Sequence, residues 1–175
     1  MSKPATRLGL ATAALLTLAL PTFAQAEQSD QMAVISPEQL GQIFCIASLG
    51  NDMTPIEAML TPVLNAEVAA ADINESLAVH RSPDKKGPLS DGLPWRSVPD
   101  HADGCTVGTS NVHGAEASVE IHYSFSQHPD AGYTDTLLLA QVYSTAGRPQ
   151  VWRLDDIILA NDQTFIGTLV SAFEP

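Results

Sequence analysis

Cations are scarce in this chain: 8 Lys and Arg stand against 20 Asp and Glu, a formal net charge of -12 at pH 7. Beyond Ala26 the basic residues are Arg81, Lys85, Lys86, Arg96, Arg148 and Arg153, and no two of them outside Lys85-Lys86 are neighbours. Binding nucleic acid or an anionic membrane needs clustered Lys and Arg, so both drop out as partners. The acids are scattered rather than run together, which suits solubility in an extracytoplasmic compartment or attraction to a basic partner protein.

Long apolar runs are lacking after the first one. Leu8 to Leu20 is uncharged and follows the basic start Lys3 and Arg7; Pro21 breaks it, and Ala24-Gln25-Ala26 has the small-x-small form of a cleavage site. This reads as a secretory signal peptide over residues 1-26, with an uncleaved N-terminal anchor as the alternative. The run falls short of the roughly 20 apolar residues that span a bilayer. No later segment is a membrane span, and the expected product is a periplasmic or secreted protein. Residues 27-175 have the size of one domain.

Several catalytic signatures are missing too. There is no G-x-S-x-G elbow, no H-E-x-x-H, no glycine loop to cradle phosphate and no internal repeat. No cofactor and no metal site is expected. His101 with Asp103 is the nearest approach to a ligand pair, and His80, His113, His122 and His128 read as surface histidines. Only 2 cysteines are present, Cys45 and Cys105. In an oxidising compartment one structural disulfide is the simplest reading, and closing about 60 residues stabilises by about 4 kcal/mol in the chain-entropy account. A metal or redox pair is the alternative, although it lacks C-x-x-C spacing.

What is present divides into helices, a loop and strands. Ser36-Pro37-Glu38-Gln39 sets a capping box with Pro at the first helical position; Leu40, Ile43, Phe44 and Ala47 follow at helical spacing, and Gly50 is a natural stop. Thr54-Pro55-Ile56-Glu57 repeats the start. Pro62 restarts the helix with Thr61 as cap, and Leu64, Val68, Ala71, Ile73 and Leu77 continue it. Residues 80-104 are rich in Pro and Gly and form a long loop, with Trp95 packed down and Cys105 pinning the far end. Alternation then predicts a strand over Ala117 to Ser126, a more apolar central strand over Tyr133 to Ser144, and a third over Val151 to Leu159. Turns fall at His128 to Gly132, Ala146 to Pro149 and Asn161-Asp162, and Phe165 to Phe173 closes as a short helix. The expected fold is α+β: N-terminal helices packed on a curved, cone-like antiparallel sheet, with a short C-terminal helix.

The segments "GLPWRSVPDHADG", "ASVEIHYSF" and "VWRLDDIILANDQTFIGTLV" carry a resemblance. Together with the two early helices they resemble a bacterial family of exported domains of unknown function, itself similar to the nuclear-transport-factor-2-like, or cystatin-like, α+β cone. Trp95 and Asp100 stand where that family has an aspartate-rich or aromatic loop. The resemblance implies a conical pocket between sheet and helices, and no particular activity.

Adjacent carboxylates in a strand pose the sharpest question. With regular pleating, Asp156 shares a face with Trp152, Leu154 and Ile158, while Asp155 and Arg153 form a charge pair on the wet face. A carboxylate facing an apolar pocket would have its pKa raised, as a general acid or base requires. The structural alternative is a bulge that turns Asp156 outward, or a cap on nearby backbone N–H groups. Trp152, Leu154, Asp156, Tyr123, Tyr143 and Trp95 are therefore the pocket candidates, with Asp156 the one catalytic candidate. The expected function is a non-catalytic exported domain that binds a small apolar ligand or a periplasmic protein. The alternatives are an isomerase- or dehydratase-type enzyme using Asp156 with a Tyr or His, and an acidic inhibitor or immunity-type protein.

Overall fold

The structure, a computed structural model, describes residues 34–99, 102–143 and 150–174. The signal-peptide segment, Asp100, His101 and the Ala146 to Pro149 turn lie outside these residues. Four α-helices and four strands follow in the order α1 (Pro37–Gly50), α2 (Thr54–Glu57), α3 (Pro62–Arg81), β1 (Gly104–His113), β2 (Glu116–Ser124), β3 (Tyr133–Tyr143), β4 (Gln150–Ile158) and α4 (Phe165–Ser171).

The helix starts follow from their side chains. Ser36 accepts from the Gln39 backbone N–H while the Gln39 side chain accepts from the Ser36 N–H, completing a capping box. Thr61 accepts from Leu64 N–H at 3.2 Å and starts α3 at Pro62. Two details differ from the sequence reading. The left-handed residue that ends α1 is Asn51 (φ 52°), one past Gly50, and Asn tolerates that conformation through its short polar side chain. The α2 turn has Met53 at its cap, and Asp52 Oδ1 takes the Thr54 N–H at 3.1 Å.

The sheet is a single antiparallel meander, β1-β2-β3-β4, open between its two outer strands. Its inner face carries Ala117, Val119, Ile121 and Tyr123 from β2, Leu137 and Leu139 from β3, and Leu154 and Ile157 from β4. Phe44 and Leu40 of α1, Leu64 of α3 and Phe165 of α4 complete the core against that face. Helix α1 lies close because Gly41 has no side chain: a Cβ there would stand 2.9 Å from Val119 Cγ1. Helix α3 buries Leu64, Val68 and Ala71, whereas Ile73 and Leu77 face solvent, since the helix runs beyond the sheet it covers.

Strand β1 was absent from the sequence reading. Thr106, Thr109, Asn111 and Val112 are exposed, and besides its pairing with β2 the strand rests on the core through Cys105 and Val107 alone. Cys105, its second residue, is bonded to Cys45 in the middle of α1, with the two Cα atoms 5.5 Å apart. The disulfide thus ties the first helix to the edge of the sheet.

Strand β4 is not regularly pleated. Leu138 pairs with Asp156 but Leu139 pairs with Leu154, so Asp155 is an extra residue in a β-bulge. Past the bulge the faces exchange: Leu154 and Ile157 both point into the core, and Asp156 does not share their side. The outer edge of β4 is covered by Leu60, which bridges to Leu154, and by Thr164, which bridges to Ile158.

Candidate cleft beneath the proline-glycine loop

The loop after α3 is held to the body at successive points. Leu89 N–H donates to Glu75 Oε2 of α3 at 2.9 Å. That contact depends on Gly87, because a Cβ there would fall 1.9 Å from Glu75 Oε1. Lys86 and Asp91 form an exposed ion pair at 2.5 Å, worth at most about 1 kcal/mol. Trp95 is buried and stacks on Phe165 with ring centroids 4.6 Å apart. Next to it, the Arg96 guanidinium donates to Ser48 O at 2.9 Å and to Pro99 O at 3.2 Å. Tyr133 Oη donates to Val98 O at 3.4 Å.

The firmest anchor is Asp135, which is 0% exposed. Its carboxylate accepts from Ser97 N–H at 3.0 Å, from the Ser97 hydroxyl, and from Ala160 N–H at 3.1 Å. Burial pushes its pKa up from the usual aspartate value, and the hydrogen bonds from Ser97 and Ala160 oppose that rise without cancelling it. Two tyrosines stack beside it, Tyr123 on Tyr133 at 4.8 Å. Burial raises both phenols, Tyr133 to about 12. Tyr123 Oη in turn accepts from Ser48 Oγ at 3.0 Å.

Held in this way, the loop leaves a cleft of about 460 Å³ between itself, the C-terminal end of α1 and the C-terminal end of α4. Met53, Leu89, Leu93 and Trp95 provide its apolar wall, Thr168, Ser171 and Ala172 the α4 side, and Arg96 and Ser97 line it as well. This volume lies within the range of small-molecule sites.

Of the pocket candidates read from sequence, Trp95 lines this cleft. Tyr123 lies in the core, one hydrogen bond from the cleft through Ser48. Leu154 is fully buried in the core and Trp152 packs against it. Tyr143 is 79% exposed near the end of β3. Asp156 Oδ1 accepts from its neighbour Ile157 N–H at 2.8 Å and from Ile166 N–H at 3.1 Å, so it caps the first turn of α4. Arg153 donates to Ala58 O at 2.6 Å, and no ion pair within 4.0 Å joins it to Asp155. The polar face of β2 holds His122, which bonds Thr134 Oγ1 at 2.7 Å and lies 3.6 Å from Glu120. His113 ends β1 rather than sitting in a loop. Asp103 accepts from Ser126 N–H, and hydrogen bonding by the Ser126 side chain and then its backbone lowers the Asp103 pKa. Among the described residues no three His, Cys, Asp or Glu side chains are grouped as a metal site.

The capping role of Asp156 has a measurable consequence. Asp156→Ala is expected to lose about 1 kcal/mol in urea unfolding, the usual size of a helix-cap loss. Asp156→Asn keeps an oxygen acceptor and is expected to lose less than half of that. A loss above about 3 kcal/mol for the Asn variant would show that the negative charge, not the cap, is what counts there.

Residues that the sequence reading passed over line the cleft, namely Ser48, Arg96 and Ser97, and Asp135 anchors Ser97 from the core. A signal for Asp135 was available. In "YTDTLLLAQVY" it has the same parity as Tyr133, Leu137 and Leu139, so a single carboxylate falls on the buried face of a strand. Searches for relatives add nothing to this geometry: no family model, curated protein or solved structure matches the chain.

Proposed function

We propose that this protein is an exported, non-catalytic domain that holds a small, largely apolar ligand in the cleft beneath the proline-glycine loop. The observation that carries the reading is the cleft itself: about 460 Å³, walled by Met53, Leu89, Leu93 and Trp95, and framed by a loop fixed at both Trp95 and Ser97. A preformed apolar site on a rigid frame binds with little ordering cost. The kinship with nuclear-transport-factor-2-like exported domains belongs to the same proposal; an open antiparallel sheet with helices on one face supports it. Export is supported by the signal-like residues 1-26 and by the Cys45–Cys105 disulfide. Among the described residues no helix is long and apolar enough to cross a membrane.

The test is native mass spectrometry of the protein recovered from its host without denaturation. The expected spectrum shows the chain with an added small-molecule mass, and Ala172→Trp, which fills the cleft from its α4 side, removes that mass while leaving the fold intact by circular dichroism. A bare wild-type chain, or an added mass that survives Ala172→Trp, would overturn the assignment to this cleft.

A further inference from the structure

We infer that the ligand of this cleft is an amphiphile with one acidic group, a monocarboxylate with an apolar body, whose carboxylate is taken by Arg96. This rests on the ligand-binding reading above and adds the chemistry of the ligand to it. Arg96 lines the cleft together with the apolar Leu93 and Trp95. Its guanidinium is oriented by two backbone carbonyls, Ser48 O and Pro99 O. Those bonds use two of the five N–H donors of an arginine, so donors are left for a ligand. Backbone carbonyls fix the fork in place without neutralising it. Among the described residues no carboxylate lies within 4.0 Å of Arg96, whereas Lys86, another cation of the loop, is already paired with Asp91.

A guanidinium fixed by backbone carbonyls beside an apolar wall, with no carboxylate within 4.0 Å among the described residues, is complementary to a planar anion with an apolar tail. It selects carboxylate over alcohol, because the charged bond is about twice as strong as a neutral one. In a protein with a net charge of -12, long-range attraction does not bring an anion in. Recognition therefore has to be local, and the apolar body must supply a large share of the affinity.

Decanoate and decan-1-ol share an apolar chain and differ in the head group, so the pair separates the two readings. Isothermal titration of the full folded protein is expected to show decanoate binding at least about tenfold tighter than decan-1-ol, the size of a charge-assisted hydrogen bond. Arg96→Met, which keeps the apolar stem, is expected to abolish that difference. Arg96→Lys keeps the charge without the planar fork and should fall between them. Equal binding of the two probes by wild type would overturn the carboxylate inference and leave the cleft reading standing. Binding of neither would overturn both. A preference for decanoate that persists in Arg96→Met would place the anion elsewhere and overturn the role of Arg96. Should Arg96→Met unfold, the wild-type preference and the Arg96→Lys value decide the matter.

Discussion

Replacing Cys45 and Cys105 together by alanine is expected to cost about 4 kcal/mol of stability, the loop-closure value for a separation of 60 residues. The linked segments are far apart in sequence, and the bond closes a loop containing α2, α3 and the whole proline-glycine segment. Cutting it therefore enlarges the unfolded ensemble by the freedom of that entire stretch. In the folded state the same bond joins α1 to β1, the strand with the weakest burial of the four. The loss should appear in urea unfolding as a lower midpoint, and in thermal unfolding as a fall on the order of 10 °C for a domain of this size. Hydrogen exchange should report the largest increase in the β1 amides. A loss under about 1 kcal/mol, with β1 protection unchanged, would mean that strand pairing with β2 is sufficient by itself and that the cross-link is dispensable.

Local chemistry made much of this architecture legible. The capping box at Ser36 and the N-cap at Thr61 are short-range features, set by residues three apart, and they begin helices where the sequence places them. Strand β2 alternates cleanly because one of its faces is wet, and so its inward set Ala117, Val119, Ile121 and Tyr123 is readable directly. Strand β1 shows no such alternation. It lies at the sheet edge, where pairing with one neighbour supplements the burial of Cys105 and Val107, and polar residues satisfy that pairing as well as apolar ones.

The two acids of β4 illustrate a different limit. Period-2 reasoning is sound for each half of the strand, yet one extra residue at Asp155 exchanges the faces between the halves. Nothing in "WRLDDII" marks the bulge, because it is stabilised by distant partners: Asp156 takes the Ile166 N–H, and the edge beside Leu154 is occupied by the Leu60 segment. Attention drawn to the adjacent pair also passed over a lone carboxylate of inward parity one strand earlier. The cleft was legible only as a loop rich in Pro and Gly. Its walls come from three separated segments, and contacts such as Arg96 with Ser48 join residues 48 positions apart.

Asp135 gives the second large expected effect, and its sign with pH is distinctive. Asp135→Leu removes the acceptor for Ser97 N–H and for the Ser97 hydroxyl at once, while Ala160 N–H keeps Ser97 Oγ at 2.6 Å, and the change is expected to cost about 3 kcal/mol by leaving two donors unsatisfied. Asp135→Asn keeps one oxygen but turns an NH2 group toward a donor that the carboxylate accepted, for an expected loss of about 1 to 3 kcal/mol. Most buried, hydrogen-bonded aspartates have a lowered pKa and favour folding more as pH rises. Here desolvation dominates, and the folded pKa is raised above 3.8. The folded state then holds the proton more tightly than the unfolded chain does. The carboxyl group's contribution is full below about pH 3.8 and is lost as pH rises through the folded value. The stability gap between wild type and Asp135→Asn should accordingly be widest in acid and narrow toward neutral pH, as urea titrations at several pH values would show. A gap that widens with pH would mean that the bonds from Ser97 and Ala160 outweigh the desolvation of the charge. Because Ser97 also lines the cleft, loosening this anchor should weaken decanoate binding as well, tying the buried carboxylate to the site through the loop it holds.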